Sequence, residues 1–98
     1  MYNSRLLQLL KILHEDELSQ FRKYLASPYF NERPKALELF SLLEKYHPEF
    51  SSTKLVKEKI FKRIYPGEEY KDIKLRQLMS YMAGLTENFL LLRKEEGN

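Results

Sequence analysis

A chain of 98 residues that is 43% apolar, with 7 Tyr and 6 Phe, can build one packed core, which excludes intrinsic disorder and a second sizeable domain. The absence of cysteine excludes a disulfide framework and a thiolate zinc site and fits a reducing cytosol, while only 3 Gly and 4 Pro speak against a many-turned β fold. The net charge of +3 lies wholly in the second half: residues 1–50 hold seven charges of each sign and residues 51–98 hold ten basic and seven acidic, a modest pull on acidic partners.

Helical spacing predicts a first helix from Ser4 to Leu13, with Leu6, Leu9, Leu10 and Leu13 on one face and Leu7 and Ile12 widening it. Glu15, Asp16 and Glu17 then place acid at the start of a second helix, where it complements the helix dipole. Leu18, Phe21 and Leu25 form the inner face of that helix, and Pro28 stops it. Ser27-Pro28-Tyr29-Phe30-Asn31 reads as a compact connector, with Asn31 as N-cap of a third helix and Pro34 inside its first turn. The third helix covers about Glu32 to His47, with Ala36, Leu37, Leu39, Phe40, Leu43 and Tyr46 as its core face, and Pro48 ends it.

Ser51, Ser52 and Thr53 offer caps for a fourth helix that runs to about Tyr65. Val56, Ile60 and Ile64 recur every four residues in it with Phe61 alongside, and Pro66-Gly67 ends it. The fifth helix begins near Asp72 and reaches about Lys94, on the order of 35 Å. That length matches the full width of so small a domain, so the end of the helix is expected to project. Leu75, Leu78, Met82, Leu85, Phe89 and Leu92 form a seam along it, spaced alternately three and four residues apart. The seam fits a coiled-coil strand or a core helix, and Met79 and Leu90 beside it favour bundle packing. Gly84 costs this helix about 1 kcal/mol against alanine and implies a closely crossing neighbour. The longest apolar run, Phe89-Leu90-Leu91-Leu92, is too short to span a bilayer, and the N-terminus lacks a signal-peptide pattern. A soluble, cytoplasmic chain without a membrane partner is expected.

The only histidines, His14 and His47, read as caps at the ends of the first and third helices. They lack the spacing of a metal pair, and adjacent carboxylates at 15–17 point in different directions. No glycine-rich loop is present to cradle phosphate. The reading is therefore non-enzymatic, with no cofactor and no metal. Basic residues supply a rival signal: Lys54, Lys57, Lys59, Lys62 and Arg63 crowd the fourth helix, and Lys71, Lys74 and Arg76 follow the turn. A helix, a turn and a second helix with basic flanks suit a helix-turn-helix reader of nucleic acid, with a solvated face as the plain alternative. Gln77 and Asn88 are the only good base-reading amides on the second helix of the pair.

The stretches DELSQFRKYLASPYFN and LFSLLEKYHPEFSSTKLVKEKIFKRIYPGEEYKDIKLRQLMSYMAGLTENFLLL resemble the N-terminal region of an uncharacterised, mostly helical family from Bacteroidota. The shared features are an SPYFN-like connector, a KEKIF-like helix, a YPGE-like turn and an LRxLMS-like long helix. The resemblance implies further helices beyond this chain and transfers no catalytic residue. ELSQFRKYL is also similar to the second helix of death-fold domains, and TKLVKEKIFKRIYPGEEYKDIKLRQLMSYMAGL to winged helix-turn-helix regulators, although the β-hairpin wing is missing.

The sequence thus predicts an all-α, compact bundle of about five helices with a long C-terminal helix, forming a single domain over residues 1–98 or the N-terminal part of a longer helical protein. Its expected role is protein–protein interaction or assembly through Tyr29, Phe30, Leu85, Phe89 and Leu92. The partner is another protein, further helices of the parent chain, or a second copy meeting the C-terminal helix. The alternative is nucleic-acid binding through Lys57, Lys59, Lys62, Arg63, Lys74 and Arg76.

Overall fold

Five α-helices and one 3-10 turn make up the computed structural model, which describes residues 5–50 and 55–96, with side chains up to Arg93. The helices are α1 (Arg5–Ile12), α2 (Glu15–Ala26), α3 (Pro34–Leu43), α4 (Lys57–Ile64) and α5 (Asp72–Glu96); the 3-10 turn, Glu44–Tyr46, extends α3. The expected all-α bundle with a long last helix is what forms. The radius of gyration is 13.3 Å and the longest dimension 46 Å. At 1.5 Å per residue α5 is about 37 Å long. It packs against each of the other four helices, most extensively α1, while α3 bridges α2 and α4.

The apolar stripes go where their spacing directs them. Leu6, Leu7, Leu10 and Leu13 are buried along α1, whereas Ile12 is exposed. Leu18, Phe21 and Leu25 bury the inner face of α2, and Ala36, Leu39, Phe40 and Leu43 that of α3. Ile60, Phe61 and Ile64 do the same for α4; Val56 flanks that helix as its exposed N-cap residue. On α5 the seam is buried from Leu75 through Phe89, joined by Met79, Ala83 and Thr86. A buried stripe that wide is a core helix rather than a coiled-coil strand. The proposed caps Ser51, Ser52 and Thr53, and Lys54, lie outside the described residues.

Several local expectations are corrected. Asn31 does not cap α3, which starts at Pro34 with Arg33 in the cap position. Asn31 is buried and bridges three elements instead: its Nδ2 donates to the Leu25 carbonyl at 2.7 Å, and its Oδ1 accepts from the Arg33 N–H at 2.9 Å and the Tyr81 hydroxyl at 3.0 Å. The Tyr81 oxygen in turn accepts from the Glu32 N–H at 2.9 Å. His14 sits at the N-terminus of α2, where its backbone N–H donates to Glu17 at 3.0 Å. His47 ties the end of the 3-10 turn to α1, its Nε2 lying 2.7 Å from the Leu13 carbonyl. A Cβ placed on Gly84 meets nothing within 4 Å, so no close helix crossing explains that glycine. Gly67 does need its freedom, because it turns the chain out of α4 at a φ of +84°. No helix among the described residues is long and apolar enough to cross a membrane.

Candidate interaction surfaces

Two of the nominated regions, far apart in sequence, line one cleft. Tyr24 from α2, Phe30 from the connector, and Phe89 and Leu92 from α5 form its walls, with Lys23 and Arg93 at the edge. A run of rings leads from the core to this surface. Phe40 meets Phe21 edge-on at 5.3 Å, Phe21 meets Phe89 at 5.1 Å, and Phe89 meets Tyr24 at 5.5 Å. Tyr24 stacks on Phe30 at 4.5 Å, and Phe30 meets Tyr29 edge-on at 4.9 Å. Centroid separations of this size suit favourable aromatic pairs. Burial pushes the Tyr24 hydroxyl pKa up, with a smaller contribution from Tyr81.

The residues expected at this surface separate into two kinds. Leu85 and Phe89 are only 7% and 6% exposed, the Phe89 ring packing on Phe21 and Tyr24 of α2; they are core and give a partner little area. Leu92 is 40% exposed, and its neighbour Leu91, which the heptad seam passes over, is 61% exposed. Tyr29 is 87% exposed, while Phe30 folds its ring back onto Tyr24. The most exposed residues are thus Tyr29 and Leu91; Phe30 and Leu92, each 40% exposed, line the cleft over the buried Phe89. The helix end does not hang free up to Arg93. Arg93 pairs with Glu17 at 3.0 Å, hydrogen-bonds Gln20 and lies 5.8 Å from the Phe89 ring centroid. Arg93 was missed in the sequence because its partners lie on α2, more than 70 residues away.

The basic residues separate as well. Asp72, at the start of α5, accepts from the Tyr70 hydroxyl at 2.7 Å and pairs with Lys57 at 3.5 Å and Arg76 at 3.1 Å. Lys74 pairs with Glu68 at 2.7 Å and lies 4.1 Å from the Tyr65 ring centroid. The hydrogen bond from Tyr70, then Lys57 and Arg76, lowers the Asp72 pKa, and the same bond pushes the Tyr70 hydroxyl up to about 12. Lys57, Lys74 and Arg76 are therefore paired within the chain, Lys57 and Arg76 sharing one carboxylate. Lys59, Lys62 and Arg63 are exposed on α4 and make no ion pair among the described residues. They border a groove between α3 and α4 whose other members include Leu42, Tyr46 and, further along, Leu37 and Lys45.

Among the described residues no group of three or more His, Cys, Asp or Glu is placed to hold a metal ion. Scans against protein-family models, curated proteins and solved structures find no match to this chain.

Proposed function

We propose that this domain is a non-enzymatic protein–protein interaction module that assembles through the cleft between α2 and the C-terminal end of α5. The observation that carries this reading is the exposure of Leu91 and Leu92 beside an aromatic cleft lined by Tyr24, Phe30 and Phe89. Covering what remains exposed of each leucine is worth on the order of 1 kcal/mol, so a complementary apolar face gains from covering them. The non-enzymatic part rests on both histidines holding structural positions at helix ends.

A second copy is the partner this surface fits most directly. The same patch carries both a cleft and projecting apolar residues, and two-fold association requires such self-complementarity. Light scattering over a concentration series tests it. The wild-type chain is expected to show a mass that rises toward the dimer. Leu91→Glu with Leu92→Glu is expected to remain monomeric with an unchanged helical spectrum. A strict monomer at every concentration overturns self-assembly.

Nucleic-acid binding through α4 and the start of α5 is the weaker reading, because three of its six cations are already paired with Asp72 and Glu68. The helix-turn-helix arrangement also places Leu75, Leu78 and Met79 of its second helix in the core.

A further inference from the structure

We propose that the groove between α3 and α4 is a docking site for an acidic amphipathic helix of another protein. The site is separate from the α2–α5 cleft, and the proposal does not depend on that cleft's role.

The floor of the groove is apolar. Leu37, Leu42 and Tyr46 are each half-buried against the core and turn their remaining surface outward. The rim is basic. Lys45 at the end of α3 and Lys59, Lys62 and Arg63 on α4 are all exposed, and none makes an ion pair among the described residues. The one carboxylate at the groove, Glu38, is paired with Lys35 at 3.0 Å. Of the cations elsewhere, Lys57, Lys74, Arg76, Arg93, Arg22 and Arg5 each have an acidic partner, whereas Lys11, Lys23, Arg33 and Lys71 make no ion pair among the described residues. What sets Lys45, Lys59, Lys62 and Arg63 apart is that all four border this apolar floor.

Apolar floor and basic rim together define the occupant. A duplex or a single strand would use the cations but leave the leucine and tyrosine surface without a counterpart. A neutral apolar helix would use the floor and leave the cations unpaired. A helix with an apolar stripe flanked by carboxylates satisfies both, in the helix-in-groove mode. The wall from Pro34 to Tyr46 is roughly 20 Å long, which matches about three to four turns of a partner helix.

The experiment is a fluorescence-anisotropy titration of the full chain with a labelled synthetic peptide of about 16 residues. Leucines sit at helical spacing on one face of the peptide and glutamates flank them. Three other probes accompany it: a scrambled peptide of identical composition, a version with glutamine for every glutamate, and a short duplex DNA. Saturable binding of the amphipathic acidic peptide is expected, at least about tenfold tighter than of the scrambled or glutamine peptide, and weakening as added salt shortens the screening length. Lys59→Glu combined with Arg63→Glu is expected to weaken binding more than about tenfold while the circular dichroism and melting curve stay unchanged, because both side chains are exposed and unpaired. Lys59→Arg is expected to retain it. Absence of binding by the acidic peptide overturns the proposal. Equal binding of the scrambled peptide overturns it by reducing the site to bare charge, and preferential binding of duplex DNA overturns it in favour of a phosphate-reading face.

Discussion

The two ends of α5 differ in what lies beside their exposed apolar side chains. At the first, Ile73 is exposed amid a charge network closed within the chain: Asp72 takes Tyr70, Lys57 and Arg76, and Glu68 takes Lys74. At the second, one ion pair, Arg93 to Glu17, fastens the helix to α2, and the apolar Leu91 and Leu92 are left facing water. A single exposed apolar side chain such as Ile73, set among paired charges, is ordinary surface. An end that keeps apolar side chains in solvent gains when something covers them, because desolvation of that area is favourable.

The sharpest way to break this contrast is to truncate the boundary residue. Phe89 is the last buried member of the seam and touches the rings of Phe21 and Tyr24. Phe89→Ala is expected to cost about 3–5 kcal/mol of folding stability, read from urea denaturation. Leu91→Ala and Leu92→Ala, only two and three residues further on, are expected to move the monomer by no more than about 0.5 kcal/mol each. If Phe89→Ala proved as mild as the leucine variants, the aromatic run would not be joined to the core. Leu85→Glu is the matching control, since its near-complete burial makes unfolding rather than dissociation its expected effect.

What the sequence revealed follows from the range of each interaction. Helix identity and inner faces depend on residues three and four apart, so Leu6 to Leu13, Leu18 to Leu25 and Leu75 to Phe89 were legible. The point at which the α5 seam leaves the core was not, because nothing in its spacing changes between Phe89 and Leu92. It is a matter of tertiary packing, which leaves Phe89 6% and Leu92 40% exposed. The two nominated contact regions, Tyr29-Phe30 and Phe89-Leu92, were found separately, but their union in one cleft is a tertiary fact. Likewise the basic residues of α4 and α5 read as one patch in sequence. Only the positions of Asp72 and Glu68 show that half of them already have an acidic partner.

The connector that carries Tyr29 and Phe30 is held by a second long-range device, and removing it sharpens the contrast from the other wall of the cleft. Asn31 joins the end of α2, the connector and Tyr81 of α5 through its amide. Asn31→Ala leaves the Leu25 carbonyl and Arg33 N–H short of a partner and is expected to cost about 1–3 kcal/mol. Tyr81→Phe, which removes the hydroxyl between Asn31 and the Glu32 N–H, is expected to cost about 1 kcal/mol. Thermal melts of both variants check this; a neutral Asn31→Ala would show that the connector is held by ring stacking alone.

Between the two ends lies Gly84, whose missing side chain faces open space. Its helix is intact without any packing reason for glycine, so Gly84→Ala is expected to stabilise the domain by up to about 1 kcal/mol through helix propensity. A loss of stability would reveal a close neighbour and restore the crossing inferred from sequence. Gly67→Ala is the opposite case, since its φ of +84° strains any residue with a Cβ.

The smallest effect belongs to the satisfied end, and it is a pH effect. The bond from Tyr70 to Asp72 exists only while the tyrosine is protonated and the carboxylate is charged. Tyr70 has its pKa raised to about 12 in the folded chain. The stability it lends is complete below the ordinary tyrosine value near 10 and is lost as pH rises from there through about 12. Asp72 is shifted the other way, so its contribution is present above the ordinary value of 3.8 and disappears as pH falls through its lowered folded value. Both side chains are open to solvent, which screens them and keeps the effect on stability slight. The ultraviolet absorbance of tyrosinate is the direct reading. Among the seven tyrosines, Tyr70 is expected to ionise late, and Asp72→Asn is expected to return it toward 10. An unchanged titration in Asp72→Asn would mean that the first end of α5 is not clasped in this way, and the contrast between the two ends would then rest on exposed leucines alone.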